Sequence, residues 1–183
     1  MIYPIIAYGD PVLKKEAAEI DREKVDVKKL AEEMFATMYA ANGVGLAAPQ
    51  IGKSLRIFVV DAEPMDDDLV GFKKVFVNPE ILEESEEEWA YEEGCLSIPR
   101  IREYVDRPEL IRMKYFDENW EEHEEDFDGM KARVIQHEYD HIEGILFTDH
   151  ISNLKKRLLK KRLSNISKGV VDVDYKMKFP VRR

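Results

Sequence analysis

The stretch His137-Glu138-Tyr139-Asp140-His141 holds two imidazoles four residues apart, with a carboxylate directly after the first. On an α-helix, residues four apart stand one above the other, so both rings can reach one metal ion. Glu138 can reach a water on that ion without occupying a ligand position itself. The pattern is that of a metal-activated water with a carboxylate base beside it, which is the chemistry of hydrolysis. The chain has only four histidines, which makes a chance pairing on one helix face the poorer explanation.

Two imidazoles do not hold a catalytic ion. Three protein ligands and one open position are required. His123 and His150 do not fall in the extended spacing that supplies a third histidine in many metalloproteases. Glu143, Asp149 and Asp172 are poorly spaced acids. Cys95 remains, within Glu93-Gly94-Cys95-Leu96-Ser97. A lone cysteine is commonly a small buried hydrophobe. Beside Gly94, in a chain with a two-histidine site, it is also a candidate thiolate ligand. One cysteine and two histidines would form a tetrahedral site with one open position, and the ion would keep the thiol deprotonated.

The elements that must position these groups follow from periodicity. Residues 26–41 read as a helix, with Val27, Leu30, Ala31, Met34 and Met38 at helical spacing, Asp26 as N-cap and Asn42-Gly43 as the stop. The run Gly43 to Gln50 reads as a tight loop or irregular strand. Arg56 to Asp61 is a buried strand by its β-branched and aromatic content. Asp66 to Gly71 is a polar loop. Lys74 to Val77 and Ile81 to Glu84 read as short strands broken at Asn78-Pro79. Glu88 to Ser97 is a strand passing Gly94. Glu109 to Phe116 and Trp120 to Phe127 read as a hairpin. Gly129 to Ile142 is a second helix, ended by Gly144, and it carries the two histidines. Met130, Val134, His137, Glu138 and His141 share one stripe of it, so this helix is expected to be central and buried. Leu154 to Ile166 is a third helix, followed by a short, mostly polar tail from Gly169. Strands come mainly in one block with helices around them. The fold class is therefore α+β, with antiparallel or mixed sheets around the histidine-bearing helix.

A length of 183 residues with 44% hydrophobic content suits one domain with a sizeable core. The expected domain is residues 1–183, a single metallohydrolase unit in which 154–183 form a C-terminal helix and tail. No apolar run is long enough to span a bilayer, and Met1-Ile2-Tyr3-Pro4 does not begin a signal peptide. With a single cysteine, no internal disulfide can form. A cytoplasmic protein is expected. A net charge of −10 argues against DNA or other nucleic acid binding over the whole surface.

Gly43-Val44-Gly45-Leu46-Ala47-Ala48-Pro49-Gln50, Glu93-Gly94-Cys95-Leu96-Ser97 and Gln136-His137-Glu138-Tyr139-Asp140-His141 occur in this order. Together they resemble the three signature motifs of the peptide deformylases. The resemblance begins at Gly9-Asp10-Pro11-Val12-Leu13 and runs to about Phe147. It implies an enzyme that removes the formyl group from the N-terminal methionine of nascent polypeptides. It also implies Cys95, His137 and His141 as metal ligands and Glu138 as general acid/base. Gln50 and the backbone N–H of Leu96 are implied as donors to the developing oxyanion, and Gly45 as a backbone contact to substrate. Loss of one such donor costs roughly 3–4 kcal/mol.

Val44, Met130 and Val134 are placed to line an apolar pocket for the methionine side chain, or simply to pack the core. Arg102 matches a position near the substrate chain. Arg100 stands where many similar sequences have glycine, at the border of the substrate cleft. Asp140 is open to two readings, a partner for an imidazole or an arginine, and an ordinary exposed aspartate. The donor types admit Zn²⁺, Ni²⁺, Co²⁺ or Fe²⁺, and the resemblance implies Fe²⁺ in the cell.

Two rival readings differ in their use of Cys95. A zinc protease acting on internal peptide bonds would give it no role. A non-enzymatic protein with a structural metal would need a fourth ligand, for which only His123 and His150 are available. The basic run Lys155-Lys156-Arg157…Lys160-Lys161-Arg162 is interleaved with leucines. It reads as an amphipathic helix with a solvated basic face, and resemblance to some family members implies docking on ribosomal RNA.

Overall fold

Ile57-Phe58-Val59-Val60 is apolar at four consecutive positions, and a strand of that kind needs cover on both faces. In the computed structural model, which describes residues 1–180, all four side chains are buried. The last three positions of the expected C-terminal tail, 181–183, lie outside the described residues. In chain order the elements are β1 (Ile5–Ile6), α1 (Val27–Ala40), β2 (Gly45–Ala47), β3 (Ile57–Asp61), β4 (Lys73–Glu84), β5 (Glu88–Cys95) and β6 (Ile98–Pro108). There follow β7 (Leu110–Phe116), β8 (Glu122–Asp128), α2 (Gly129–Ile142), α3 (Asn153–Ser167) and β9 (Met177–Lys178).

A five-stranded antiparallel sheet in the order β2-β3-β4-β7-β8 forms the centre. Successive side chains of a strand point to opposite faces, and β3 divides accordingly. Phe58 and Val60 join Phe76, Met113 and Tyr115 in a cluster with Ala132, Ile135 and Ile142 of α2. Ile57 and Val59 join Val75 and Val77 in a second cluster with Leu30, Met34 and Met38 of α1. The helices thus cover the two faces of one sheet. Phe76 stacks on Phe58 at 4.7 Å and lies 4.5 Å from Tyr115, contacts worth about 0.5–1.5 kcal/mol each beyond their burial. Asp26 caps α1, its carboxylate accepting from the Lys29 N–H at 3.2 Å.

The second sheet is the β5–β6 hairpin, which packs on α2 and, through Ile98, Ile101 and Val105, on Leu159 and Leu163 of α3. The fold is α+β, with antiparallel sheets around the helix that carries His137 and His141.

Three features depart from the sequence reading. β4 is one strand and not two. Asn78, at φ +47°, and Pro79 form a bulge between Val77 and Glu80. Pro79 has no N–H to give, and Asn78 is held by Ile20, whose N–H and C=O meet its side-chain amide at 2.8 and 3.1 Å. The whole of β6 was not foreseen, because charged residues fill its outward positions. The tail is less polar than it reads: β9 pairs in parallel with β1, joining Ile5 to Met177.

Candidate metal centre and active-site cleft

α2 begins at Asp128, the last residue of β8, and ends where Gly144 adopts φ +75°. Its fourteen residues place His137 and His141 one turn apart, with ring centroids separated by 5.2 Å. β5 runs alongside and ends at Cys95. The Cys95 Sγ lies 3.4 Å from His141 Nε2, and one ligand atom from each of Cys95, His137 and His141 falls within 4.8 Å of the others. Tetrahedral ligation at about 2.3 Å to sulfur and about 2.0 Å to nitrogen sets the two ligand atoms about 3.5 Å apart. The Cys95–His141 pair therefore has the separation that ligation of one divalent ion requires, with His137 within reach.

The imidazoles are held by residues around them. His137 Nδ1 lies 2.8 Å from Glu93 Oε1, which leaves Nε2 for the centre. Glu93 is itself buried, and it accepts from Arg107 Nε and Nη2 at 2.7 and 3.0 Å and from Arg133 Nη1 at 2.7 Å. Burial alone would raise the Glu93 carboxyl. The hydrogen bonds and charges of His137 and Arg107 outweigh that and hold it well below the usual carboxylate range. Arg107 continues to Asp140 at 2.8 Å, and Asp140 to His150 Nε2 at 2.8 Å. Asp140 is therefore an arginine partner, largely buried, and His150 is tied up with it. Burial pushes His141 down to about 3, helped by the charge of His137, so this ring is neutral at neutral pH and ready to ligate.

Glu138 is 5% exposed, and its Oε2 has no hydrogen-bond partner. Burial pushes its carboxyl up to about 7, against the pull of His137. A carboxylate with that proton affinity can both take and return a proton near neutrality. Gln50 lies within a short 3-10 turn, Ala48–Ile51. Its Oε1 accepts from the Ala47 N–H at 3.0 Å, and this orients Nε2 toward Ser97 Oγ at 3.2 Å and Cys95 Sγ at 3.5 Å. The amide thus caps the turn and also points a donor at the centre.

A cleft of about 670 Å³ opens over these groups. Of the residues singled out in the sequence, Val44, Gly45, Gln50, Cys95, Leu96, Arg102, Val134, His137 and Glu138 line it. His141 lies behind the wall. Met130 is half-buried against the sheet cluster and does not reach the cleft. Arg102 sits at the mouth, bound to Glu92 through Oε1 at 3.1 Å and the backbone carbonyl at 3.0 Å. The motifs alone give no role to Glu93, Arg107 or Arg133. Glu93 stands inside a quoted motif, but its arginine partners are distant in the chain. Among the described residues a second group of potential ligands, Asp117, Glu121 and His123, lies at the β7–β8 turn. There Asp117 accepts from the N–H groups of Asn119 and Glu121 and faces His123 at 2.8 Å, so the group is accounted for by turn structure.

The family model described as polypeptide deformylase matches residues 2–157. A peptide deformylase of Cytophaga hutchinsonii is 59% identical over 184 residues, covering 100% of both chains. One from Christiangramia forsetii is 57% identical, covering 98% of this chain and 97% of the relative. Among solved structures, the peptide deformylase of Thermotoga maritima superposes with a TM-score of 0.76 at 43% identity, covering 83% of this chain and 99% of that one. That of Legionella pneumophila gives 0.82 at 38% identity, covering 92% and 96%.

Proposed function

The chain belongs to the polypeptide deformylase family, and from that premise we propose which of its residues carry the reaction. The enzyme removes the N-formyl group from nascent polypeptides, and the family is metal-dependent. One observation carries the assignment: the Cys95, His137 and His141 ligand atoms converge beside a cleft that also receives the unpartnered Glu138 carboxylate.

Cys95, His137 and His141 would hold a divalent ion. When bound, a divalent ion there supplies Lewis acidity toward a carbonyl oxygen and draws the pKa of a water down to ~7. Glu138 takes the proton of the attacking water and delivers it to the amine nitrogen as the formyl C–N bond breaks. Formate and a free N-terminus leave. The Gln50 Nε2–H and the Leu96 N–H donate to the formyl oxygen as charge develops on it. Gly45 offers its backbone to the substrate chain. Val44 and Val134 bound the space for the methionine side chain, with Met130 packing behind them, and Arg102 guides the chain at the mouth. Fe²⁺ is the ion used in the cell, with Zn²⁺, Ni²⁺ or Co²⁺ able to replace it. Residues 1–183 act as one catalytic domain, in the cytoplasm, where nascent chains carry formylmethionine. No helix among the described residues is long and apolar enough to cross a membrane.

The deciding experiment is formate release from a formyl-methionyl dipeptide. Wild type should be active and metal-loaded. Glu138→Ala should keep the metal and lose activity, and Cys95→Ala should lose both. A Cys95→Ala variant that keeps its metal would return the site to the protease reading.

α3 supports an attachment to the ribosome. Arg157, Lys160 and Lys161 are exposed on it, whereas Lys155 is held by Glu103 at 3.2 Å and Arg162 by the Arg100 carbonyl. Replacing Arg157, Lys160 and Lys161 by glutamate should abolish a salt-sensitive cosedimentation with ribosomes.

A further inference from the structure

The Leu96-Ser97 turn that follows Cys95 is built from a large bulge. Gly94 pairs with Arg102 and Cys95 with Ile98, so Pro99, Arg100 and Ile101 are looped out of β6. Arg100 adopts φ +66° there, a left-handed conformation that glycine tolerates and a side chain with Cβ disfavours. Its guanidinium offsets that cost with a contact of its own. Arg100 Nε donates to the Asp172 carbonyl at 3.0 Å, and the Arg100 carbonyl accepts from Arg162 of α3.

The segment reached by Arg100 runs from α3 back across the cleft to β9. Val171, Val173, Tyr175, Met177 and Phe179 are partly buried, while Asp172, Asp174, Lys176 and Lys178 between them are exposed. It is held at its far end by the parallel pairing with β1, where the Ile5 and Ala7 N–H groups donate to Lys176 and Lys178 at 2.9 Å. Val173, Asp174 and Tyr175 line the same cleft as Gln50, Cys95 and Glu138. The Tyr175 hydroxyl donates to the Leu96 carbonyl at 2.7 Å. All of these residues of the segment fall beyond position 157, where the family match ends.

We propose that Tyr175 is a positioning residue for deformylation, brought to the Cys95-Leu96-Ser97 turn by a C-terminal strap that Arg100 latches over the cleft. A tetrahedral centre needs its oxyanion donors at a fixed place, and a peptide in a tight turn turns with its neighbours. The Tyr175 hydroxyl fixes the carbonyl side of Leu96, and the Ser97 carbonyl is fixed in turn by the Tyr8 N–H at 2.9 Å. The Leu96 N–H is then held against rotation when charge develops before it. Arg100 acts one step further out: it keeps the strap, and with it Tyr175, against the turn. The inference rests on the reading of the Leu96 N–H as an oxyanion donor.

The test compares wild type, Tyr175→Phe, Arg100→Gly and the double variant in formate release from formyl-methionyl peptides. Metal content and thermal melting are measured on the same samples. Tyr175→Phe removes one oxygen and leaves the ring packed. It should lower kcat about tenfold, with KM within twofold and with metal content and melting unchanged. Arg100→Gly suits the backbone and should show a smaller loss of kcat, with the double variant no worse than Tyr175→Phe. Unchanged kcat in Tyr175→Phe, a loss confined to KM, or a loss of metal or of the cooperative melt would each overturn the proposal. An inactive wild type would instead overturn the deformylase assignment of the site, so the two failures are distinct.

Discussion

Gly45 of β2 lies against Glu138 of α2 so closely that a Cβ on the glycine would stand 2.6 Å from the carboxylate Oε1 and 2.9 Å from Cδ. The backbone of Gly45 is not in the left-handed region, so the constraint is one of space alone. Glu138 is buried with one oxygen unpartnered, and its freedom to point into the cleft depends on the missing side chain opposite. Gly45→Ala is expected to lower kcat/KM for formate release by at least about 10²-fold, the range of a misplaced general base, with metal content unchanged. Near-wild-type turnover in this variant would show that Glu138 tolerates displacement.

Metal removal gives a second prediction. Chelation should abolish formate release, and anaerobic addition of Fe²⁺ should restore more activity than Zn²⁺ does. The thiolate beside a redox-active ion makes the Fe²⁺ form decay in air. Equal or higher activity with Zn²⁺ would remove the case for iron.

Glu93 is expected to be as important to the centre as a ligand, although it touches no ion. Glu93→Ala leaves Arg107 and Arg133 buried without their shared carboxylate and takes the acceptor from His137 Nδ1. Breaking a buried pair of this kind costs about 3–5 kcal/mol, and loss of a partner to a metal-binding histidine weakens metal affinity by about 10–100-fold. Calorimetric melting and a metal titration check both. A variant that melts and binds metal as wild type does would contradict this account.

Acid stability should depend on Asp117, remote from the cleft. Burial would raise this carboxyl, but the hydrogen bond with His123 and the N–H groups of Glu121 and Asn119 hold it below its usual range. A lowered native value means that the unfolded chain takes up the proton first. The stabilisation is therefore complete above the ordinary aspartate value of ~3.9 and disappears as the pH falls below it. Asp117→Ala should be less stable than wild type at pH 7, by about 1–2 kcal/mol, and the difference should shrink as the pH falls below the ordinary aspartate value. A difference that stays constant with pH would assign the effect to turn geometry alone.

Much of this architecture is readable from spacing. The three helices, the capping Asp26 and the convergence of two histidines follow from a period of 3.6, because each concerns residues close in the chain. Cys95 joins them by elimination among the possible third ligands and by the order of three motifs, since nothing local says which side of β5 it faces. β6 is hidden because Arg100, Arg102, Glu103, Asp106 and Arg107 obscure a strand whose buried apolar members include Ile98, Ile101 and Val105. Asn78-Pro79 looks like a strand break and is a bulge, a distinction made by Ile20 far away in sequence. Glu93 belongs to an acidic run that reads as solvated surface, and its burial is decided by Arg107 and Arg133 on other elements. The alternation Val171-Asp172-Val173-Asp174-Tyr175 is present in the sequence as a half-buried extended segment, yet brevity and charge make it look like a polar tail.

The pairing of Ile5 with Met177 joins β1 to β9. During synthesis β1 emerges first, while its partner is still to be translated and then cleared from the exit tunnel. The cleft wall formed by Val173 and Tyr175 is completed only after that. Until then Ile5 and Ile6, both buried in the finished fold, are left with an open strand edge.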